Sequence, residues 1–215
     1  MVPRTVSDRL REEYSNLLPE INRVLHYLKT NIAYLLLDAA LALKHHERIR
    51  IEARVKECES AIDSLRRREE ARQFDEDTPG SYSLTNLPDL AALRILVFPR
   101  QRLDEVHKIV RERYADWTCD PVTTGDPPKR RAWKYYGFCP INSRVKAEIQ
   151  VVPMLTGLFW QVEHDYFYKP RDAVLRGAIK KPIIRDRTEA VYNALEALED
   201  ILERELRRYA EQGGP

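Results

Sequence analysis

Two carboxylates stand out by where they fall. Glu148 lies in Ala147-Glu-Ile-Gln-Val-Val152, a run that alternates and so puts Glu148 and Gln150 on one face of a strand. The chain then continues through Trp160, Glu163-His164 and Tyr168-Lys169, residues that share roughly one side of a helix. An acid at a strand end, followed by a helix returning Glu-His, can present a general base or a metal ligand to a nucleotide. The second carboxylate, Asp89, opens the apolar run Asp89-Leu-Ala-Ala-Leu-Arg94. An Asp entering a buried strand and an Arg inside it are costly unless they are paired or functional. Asp89 is therefore either a hard oxygen ligand for a divalent cation or half of a structural Asp–Arg pair.

Cations surround these acids in the sequence. Arg54-Val-Lys56 is followed by Ser60 and Arg67, read on one charged helix over residues 52–72. Arg can fork onto phosphate or stack on a base, and Lys supplies a point charge. A solvated helix laced with Glu–Arg pairs would show the same composition. Lys129, Arg130, Arg131 and Lys134 alternate with Trp133, Tyr135, Tyr136 and Phe138. That mixture suits phosphate contact with base stacking, or a basic loop beside an apolar strand.

The elements that must position these residues follow from periodicity. Leu10, Tyr14, Leu17, Ile21, Val24 and Leu28 recur at helical spacing, and Ser7 is a candidate cap. A second, apolar helix is expected from Asn31 to the His45-His46 pair. Residues 74–88 read as a loop. Leu90 to Phe98 reads as a buried strand, Leu103 to Tyr114 as an amphipathic helix, and the region around 116–120 as a strand. A loop over 121–132 precedes one or two strands between Trp133 and Val152. Residues 170–186 read as irregular, and 187–211 as a long helix with Val191, Leu195, Leu198, Leu202 and Leu206 on one stripe. The order implies an α+β fold, a mixed β-sheet flanked by helices.

Composition narrows the class. The chain has 215 residues, with 36 Lys and Arg against 34 Asp and Glu. A net charge of +2 gives no global basic field for nucleic acid. Cys58, Cys119 and Cys139 lie far apart without metal-ligand spacing, as plain thiols of a reducing compartment do. The beginning has no apolar signal region and the run from Ile32 to Leu43 is too short to span a bilayer, so a cytoplasmic location is expected.

Taken in order, the four segments resemble the RelA/SpoT-type (p)ppGpp synthetase domain, in the form of the single-domain small alarmone synthetases. That family shows an Arg-x-Lys-x-x-x-Ser helix, an Asp-Ile-Ala-Gly-Ile-Arg strand and a Gly-Tyr loop. Glu-Ile-Gln-Ile-Arg-Thr follows, leading to Trp, Glu-His and Tyr-Lys. The matching residues here are Arg54-Val-Lys56 with Ser60, Asp89 to Arg94, Gly137-Phe138, and Glu148-Ile-Gln150 with Trp160, Glu163-His164 and Tyr168-Lys169. The resemblance covers about residues 45–170 and implies N-terminal helices over 1–50, a synthetase-like core over 51–170, and a linker with a C-terminal helix over 171–215.

The resemblance implies a pyrophosphokinase in which a ribose 3′-hydroxyl of GDP or GTP attacks the β-phosphorus of ATP. Asp89 and Glu148 would hold Mg²⁺, and Glu148 would orient or deprotonate the hydroxyl. Arg54 and Arg94 would sandwich the adenine, with Lys56, Ser60 and Arg67 on the ATP side. Lys134, Tyr136, Phe138, Gln150 and His164 would line the acceptor pocket, Phe138 standing where the family's Tyr stacks on guanine. The chain departs from the pattern at Val151-Val152-Pro153, where the family has Ile-Arg-Thr, and at Tyr136-Gly-Phe-Cys-Pro-Ile-Asn142, which lacks the family's His. A family Lys on the first helix falls on Ser64. The acceptor side is thus the altered side. Two further outcomes stay open: a toxin-like relative acting on another 3′-hydroxyl such as the tRNA end, and a catalytically inactive nucleotide-binding regulatory member. The terminal helices are candidates for homo-oligomer contacts.

Overall fold

A computed structural model describes residues 5–70, 82–124, 129–141, 143–163 and 182–211. Helix α1 runs unbroken over Val6–Leu35 and is followed by the short α2, Leu37–Leu41. The expected break at Asn31 does not occur, because Ile32 continues the buried stripe of Leu17, Ile21, Val24 and Leu28. The cap is Thr5 rather than Ser7. Its hydroxyl accepts from the Asp8 backbone N–H at 3.2 Å and Asp8 accepts from the Thr5 N–H, a reciprocal capping box.

Strand β1, Arg48–Val55, stands where a helix was expected. Its Arg-Ile-Arg-Ile-Glu-Ala-Arg-Val alternates with period two, and the half-buried Ile49, Ile51 and Val55 pack against the core. The abundance of Glu and Arg, which made it look like a solvated helix, reflects an edge strand wet on one face. The charged helix is shorter: α3 spans Cys58–Glu70 and buries Ala61, Ile62 and Leu65 against α1.

The remaining elements are β2 (Ala91–Phe98), α4 (Leu103–Arg113), β3 (Thr118–Thr124), β4 (Lys129–Phe138), β5 (Lys146–Pro153), α5 (Met154–Glu163) and α6 (Pro182–Glu211). The five strands form one sheet in the order β1-β2-β5-β4-β3. Only β2 and β5 pair in parallel, so the sheet is mixed. Both β2 and β5 lie inside the sheet, which is why each reads as a nearly continuous apolar run.

Alternation gives the sheet two unlike faces. Leu93, Ile95, Val97, Ile149, Val151 and Tyr135 point to the main core with α1, α3 and α4. The other face carries a second, small apolar cluster of Leu96, Ala132 and Val152, with Met154 and Trp160 of α5 packed on it. Below that cluster the same face is polar. On the core face Gly137 allows close approach: a Cβ would sit 2.5 Å from the Trp117 ring, whose Nε1 donates to the Phe138 carbonyl at 3.2 Å. Cys58, Cys119 and Cys139 are unpaired thiols. No described helix is long and apolar enough to cross a membrane.

Candidate nucleotide site on the polar face

Two adjacent rungs of the ladder build the site. The first pairs Arg54 with Ala92, Ala92 with Glu148, and Glu148 with Tyr136. The second pairs Glu52 with Arg94, Arg94 with Gln150, Gln150 with Lys134, and Lys134 with Asp120. Cross-strand partners share a face, so residues far apart in the chain lie side by side. The parallel pairing of β2 with β5 brings Arg94 beside Gln150 and sets Glu148 one rung nearer the Asp89 end of β2.

Glu148 is buried, 5% exposed. The Gln150 side-chain N–H donates to it. Gln150 in turn accepts from Arg94 Nε at 3.1 Å, and Arg94 Nη1 donates to the Gly157 carbonyl of α5 at 3.2 Å. Gly157 is close-packed: a Cβ there would meet Leu96 Cδ2 at 2.2 Å. Burial, then the charge of Arg54, holds the Arg94 guanidinium below its ordinary pKa, with Glu52 and Glu148 acting in the opposite sense. Arg54 itself is exposed at the end of β1.

Asp89 sits just before β2. Lys56 Nζ meets its Oδ2 at 2.5 Å and also reaches Ser64 Oγ at 3.4 Å. The structural partner is thus Lys56, and the anticipated Asp–Arg pair does not form. Lys56 is fixed through its backbone as well, donating to the Leu90 carbonyl at 2.9 Å and accepting from the Tyr14 hydroxyl at 2.7 Å. The other Asp89 oxygen, Oδ1, is buried without a hydrogen-bond partner. An orphaned carboxylate oxygen is suited to a hard cation. Among the described residues no three His, Cys, Asp or Glu side chains converge. A two-carboxylate arrangement fits Mg²⁺, which takes one or two carboxylates and completes its shell with water and substrate phosphates.

Tyr136 links the two acids. Burial raises its phenol pKa above the usual range, as do the charge and hydrogen bonding of Glu148 and the charges of Asp120 and Asp89. Its ring therefore lies within electrostatic reach of both predicted carboxylates. Asp120, exposed on β3, and Glu52, which accepts from Gln161 of α5 at 2.7 Å, are acids of this face that the motifs did not single out. Only the strand register reveals them.

Of the residues expected on the acceptor side, Phe138 falls at the foot of the same face. Phe138 is 50% exposed, with Lys146 Nζ 5.6 Å from its ring centroid. Both line an open cleft of about 680 Å³ with Arg9, Asn16, Asn86 and Arg144. Lys134 is half-buried one rung beyond Tyr136. Ser60 and Arg67 lie on α3 on either side of Ser64. None of the hydrogen bonds or ion pairs among the described residues ties them to Asp89 or Glu148. The single charged helix expected to carry Arg54 with Ser60 and Arg67 is replaced by a strand, which holds Arg54, and a helix, which holds the other two. His164, Tyr168, Lys169 and the Glu163 side chain lie outside the described residues.

The basic-aromatic cluster divides. Trp133 and Tyr135 face the core side, where Trp133 stacks on His107 with centroids 3.9 Å apart. Arg131 is 2% exposed, at a bulge of β4, and is held by Glu189 at 2.9 Å and Glu196 at 3.2 Å of α6, over the Tyr192 ring. It is a structural tie to the C-terminal helix, not a phosphate contact. The signal missing from the sequence was its partner, 58 residues away.

No family model and no curated protein matches this sequence. Solved structures do. Small alarmone synthetase 1 from Bacillus subtilis is 16% identical, with a TM-score of 0.66 over 94% of this chain and 100% of that one. Its complexes with pppGpp and with AMPCPP, also 16% identical, give 0.66 and 0.63, covering 93% and 94% of this chain and 99% and 100% of that one. Small alarmone synthetase 2 from Bacillus subtilis is 20% identical, with a TM-score of 0.59 over 92% of this chain and 99% of that one. The chain has the small alarmone synthetase fold, a mixed sheet between helical N- and C-terminal segments.

Proposed function

We propose that the chain is a pyrophosphokinase that moves the β,γ-pyrophosphate of ATP to the 3′-hydroxyl of GDP or GTP. The observation that carries this reading is the buried Glu148, clamped by Gln150 on the strand beside β2, at whose start a second carboxylate, Asp89, has an unpartnered oxygen. Likeness to an enzyme solved with pppGpp and with AMPCPP supports nucleotides on this face.

In this reading the acceptor's 3′-oxygen bonds to the β-phosphorus, the bond from that phosphorus to the α-phosphate oxygen breaks, and AMP leaves. Catalysis of this kind is mostly positioning and charge neutralisation. Glu148 takes or orients the hydroxyl proton. Arg54, exposed at the strand end, offers a guanidinium plane to the adenine with Arg94 beneath it. Lys56 stands ready to exchange Asp89 for a phosphate oxygen. Phe138 offers a ring to the acceptor base, and Lys134 a charge to its phosphates. Asp89 and Glu148 would hold Mg²⁺, which supplies charge neutralisation at the triphosphate. Two strand residues, about 7 Å, separate the Phe138 rung from the Glu148 rung, close to the reach from a stacked base to its ribose. RNA as acceptor loses part of its motive, since Arg131 is buried and paired.

The test is incubation of the purified protein with Mg²⁺, ATP and a panel of GDP, GTP, ADP and tRNA, with products resolved by ion-exchange chromatography. AMP and a 3′-pyrophosphorylated guanosine nucleotide should appear in equal amounts, and Asp89→Ala or Glu148→Gln should abolish both. Transfer to tRNA alone, or no transfer by folded protein, overturns the reading.

A further inference from the structure

The resemblance put Gln150 in the acceptor pocket, but both ends of its amide are engaged within the protein. One end donates to Glu148 and the other accepts from Arg94. This orientation is chemically forced: a carboxylate can only accept, and a guanidinium can only donate. Flipping the amide would break both bonds at once.

We propose that Gln150 is a positioning residue that couples Arg94, on the ATP side, to the Glu148 carboxylate, on the acceptor side. The proposal rests on the pyrophosphokinase reading for its catalytic consequence, but the linkage itself is a property of the folded chain. Arg94 is fixed from above by the Gly157 carbonyl, so α5, Arg94, Gln150 and Glu148 form one continuous series of hydrogen bonds. Such a series holds Glu148 Oε1 in place, while Tyr136 hydrogen-bonds the same carboxylate from the neighbouring strand. A nucleotide base settling against Arg94 then shifts or stiffens the same series, so donor binding prepares the carboxylate that the acceptor needs. Charge-assisted hydrogen bonds at both ends make the linkage stronger than a neutral amide contact.

Gln150→Met keeps length and apolar volume and deletes both bonds. With ATP and GDP it should lower kcat by about 10- to 100-fold, the usual cost of losing a partner that orients a ligand or catalytic group. The KM values for ATP and acceptor should stay within about 3-fold, since uniform binding is untouched. Wild-type kcat, or a raised acceptor KM with unchanged kcat, would mean that Gln150 binds acceptor directly and would overturn the proposal. A second readout needs no turnover. In ¹⁵N-labelled free protein the Gln150 side-chain amide signals, identified by their loss in Gln150→Met, should move in both Arg94→Met and Glu148→Gln. If they stay in place in both variants the coupling is refuted, whether or not the protein transfers pyrophosphate. If they move while wild type yields no product with any acceptor, the coupling stands and the pyrophosphokinase reading fails.

Discussion

Replacing Glu199 by Gln should stabilise the protein at pH 8 and do much less at pH 5. Glu199 is fully buried between α6 and the start of α5. One of its oxygens accepts from the Leu155 backbone N–H at 3.1 Å, and the other has no partner. Burial is the main cause that pushes its pKa from 4.5 up to about 7. Glu196 and Asp200 push the same way, while the Leu155 N–H and the charge of Arg100 oppose them. The folded chain therefore holds this proton more tightly than the unfolded one. Stability linked to the group is full below about pH 4.5 and is lost as pH rises through 7.

A pKa raised from 4.5 to about 7 corresponds to roughly 3 kcal/mol of penalty at pH 8 and roughly 1 kcal/mol at pH 5. Gln mimics the protonated acid at every pH, so the advantage of Glu199→Gln over wild type should grow by about 2 kcal/mol between those two pH values. For a chain of this size that is on the order of 4–8 °C in melting temperature. Calorimetry of both proteins at pH 5 and pH 8 measures it. A difference in melting temperature that is the same at both pH values, or larger at pH 5, refutes the argument.

Gly137→Ala should cost about 1–3 kcal/mol and weaken acceptor binding more than ATP binding, because its Cβ would strike Trp117 and displace Phe138; urea unfolding and equilibrium binding report the two effects. Arg131→Met should leave the buried Glu196 without its near cation and loosen α6, costing about 3–5 kcal/mol in the same unfolding assay. Leu28→Ala, at a position with no exposure on α1, should cost about 2–5 kcal/mol without changing nucleotide affinity. Under the proposed activity, removing Mg²⁺ with a chelator should stop product formation while leaving the melting temperature within about 2 °C, since the fold is built on the apolar face of the sheet.

Much of the architecture was legible because periodicity is local. The stripe of Leu17, Ile21, Val24 and Leu28, the apolar run of β2 and the alternation around Glu148 each announce an element within a dozen residues. Strand β1 was not legible for a physical reason. Its exposed positions carry Arg and Glu, and it abuts a real charged helix, so propensity and charge pairing outweighed a short Ile-x-Ile alternation. The resemblance draws Asp89, Glu148, Arg94 and Gln150 together, and strand register brings Glu148, Arg94 and Gln150 to one face, with Asp89 just before β2. What Gln150 touches was hidden, because an amide's two partners depend on a parallel pairing across 56 residues. The fate of Arg131 depended on α6, and the importance of Asp120 on β3, and neither contact leaves a motif.

The small apolar cluster of Leu96, Ala132 and Val152 under Trp160 also gives the polar strip two unlike ends. One is closed with hydrocarbon, and at the other Phe138, Lys146 and Arg144 border an open cleft. Five strands at about 4.8 Å spacing make that strip roughly 19 Å across and only two rungs deep. Its long axis runs crosswise to the chain direction, from the Arg54 margin to the Asp120 margin, so its width comes from residues that strand pairing alone brings together.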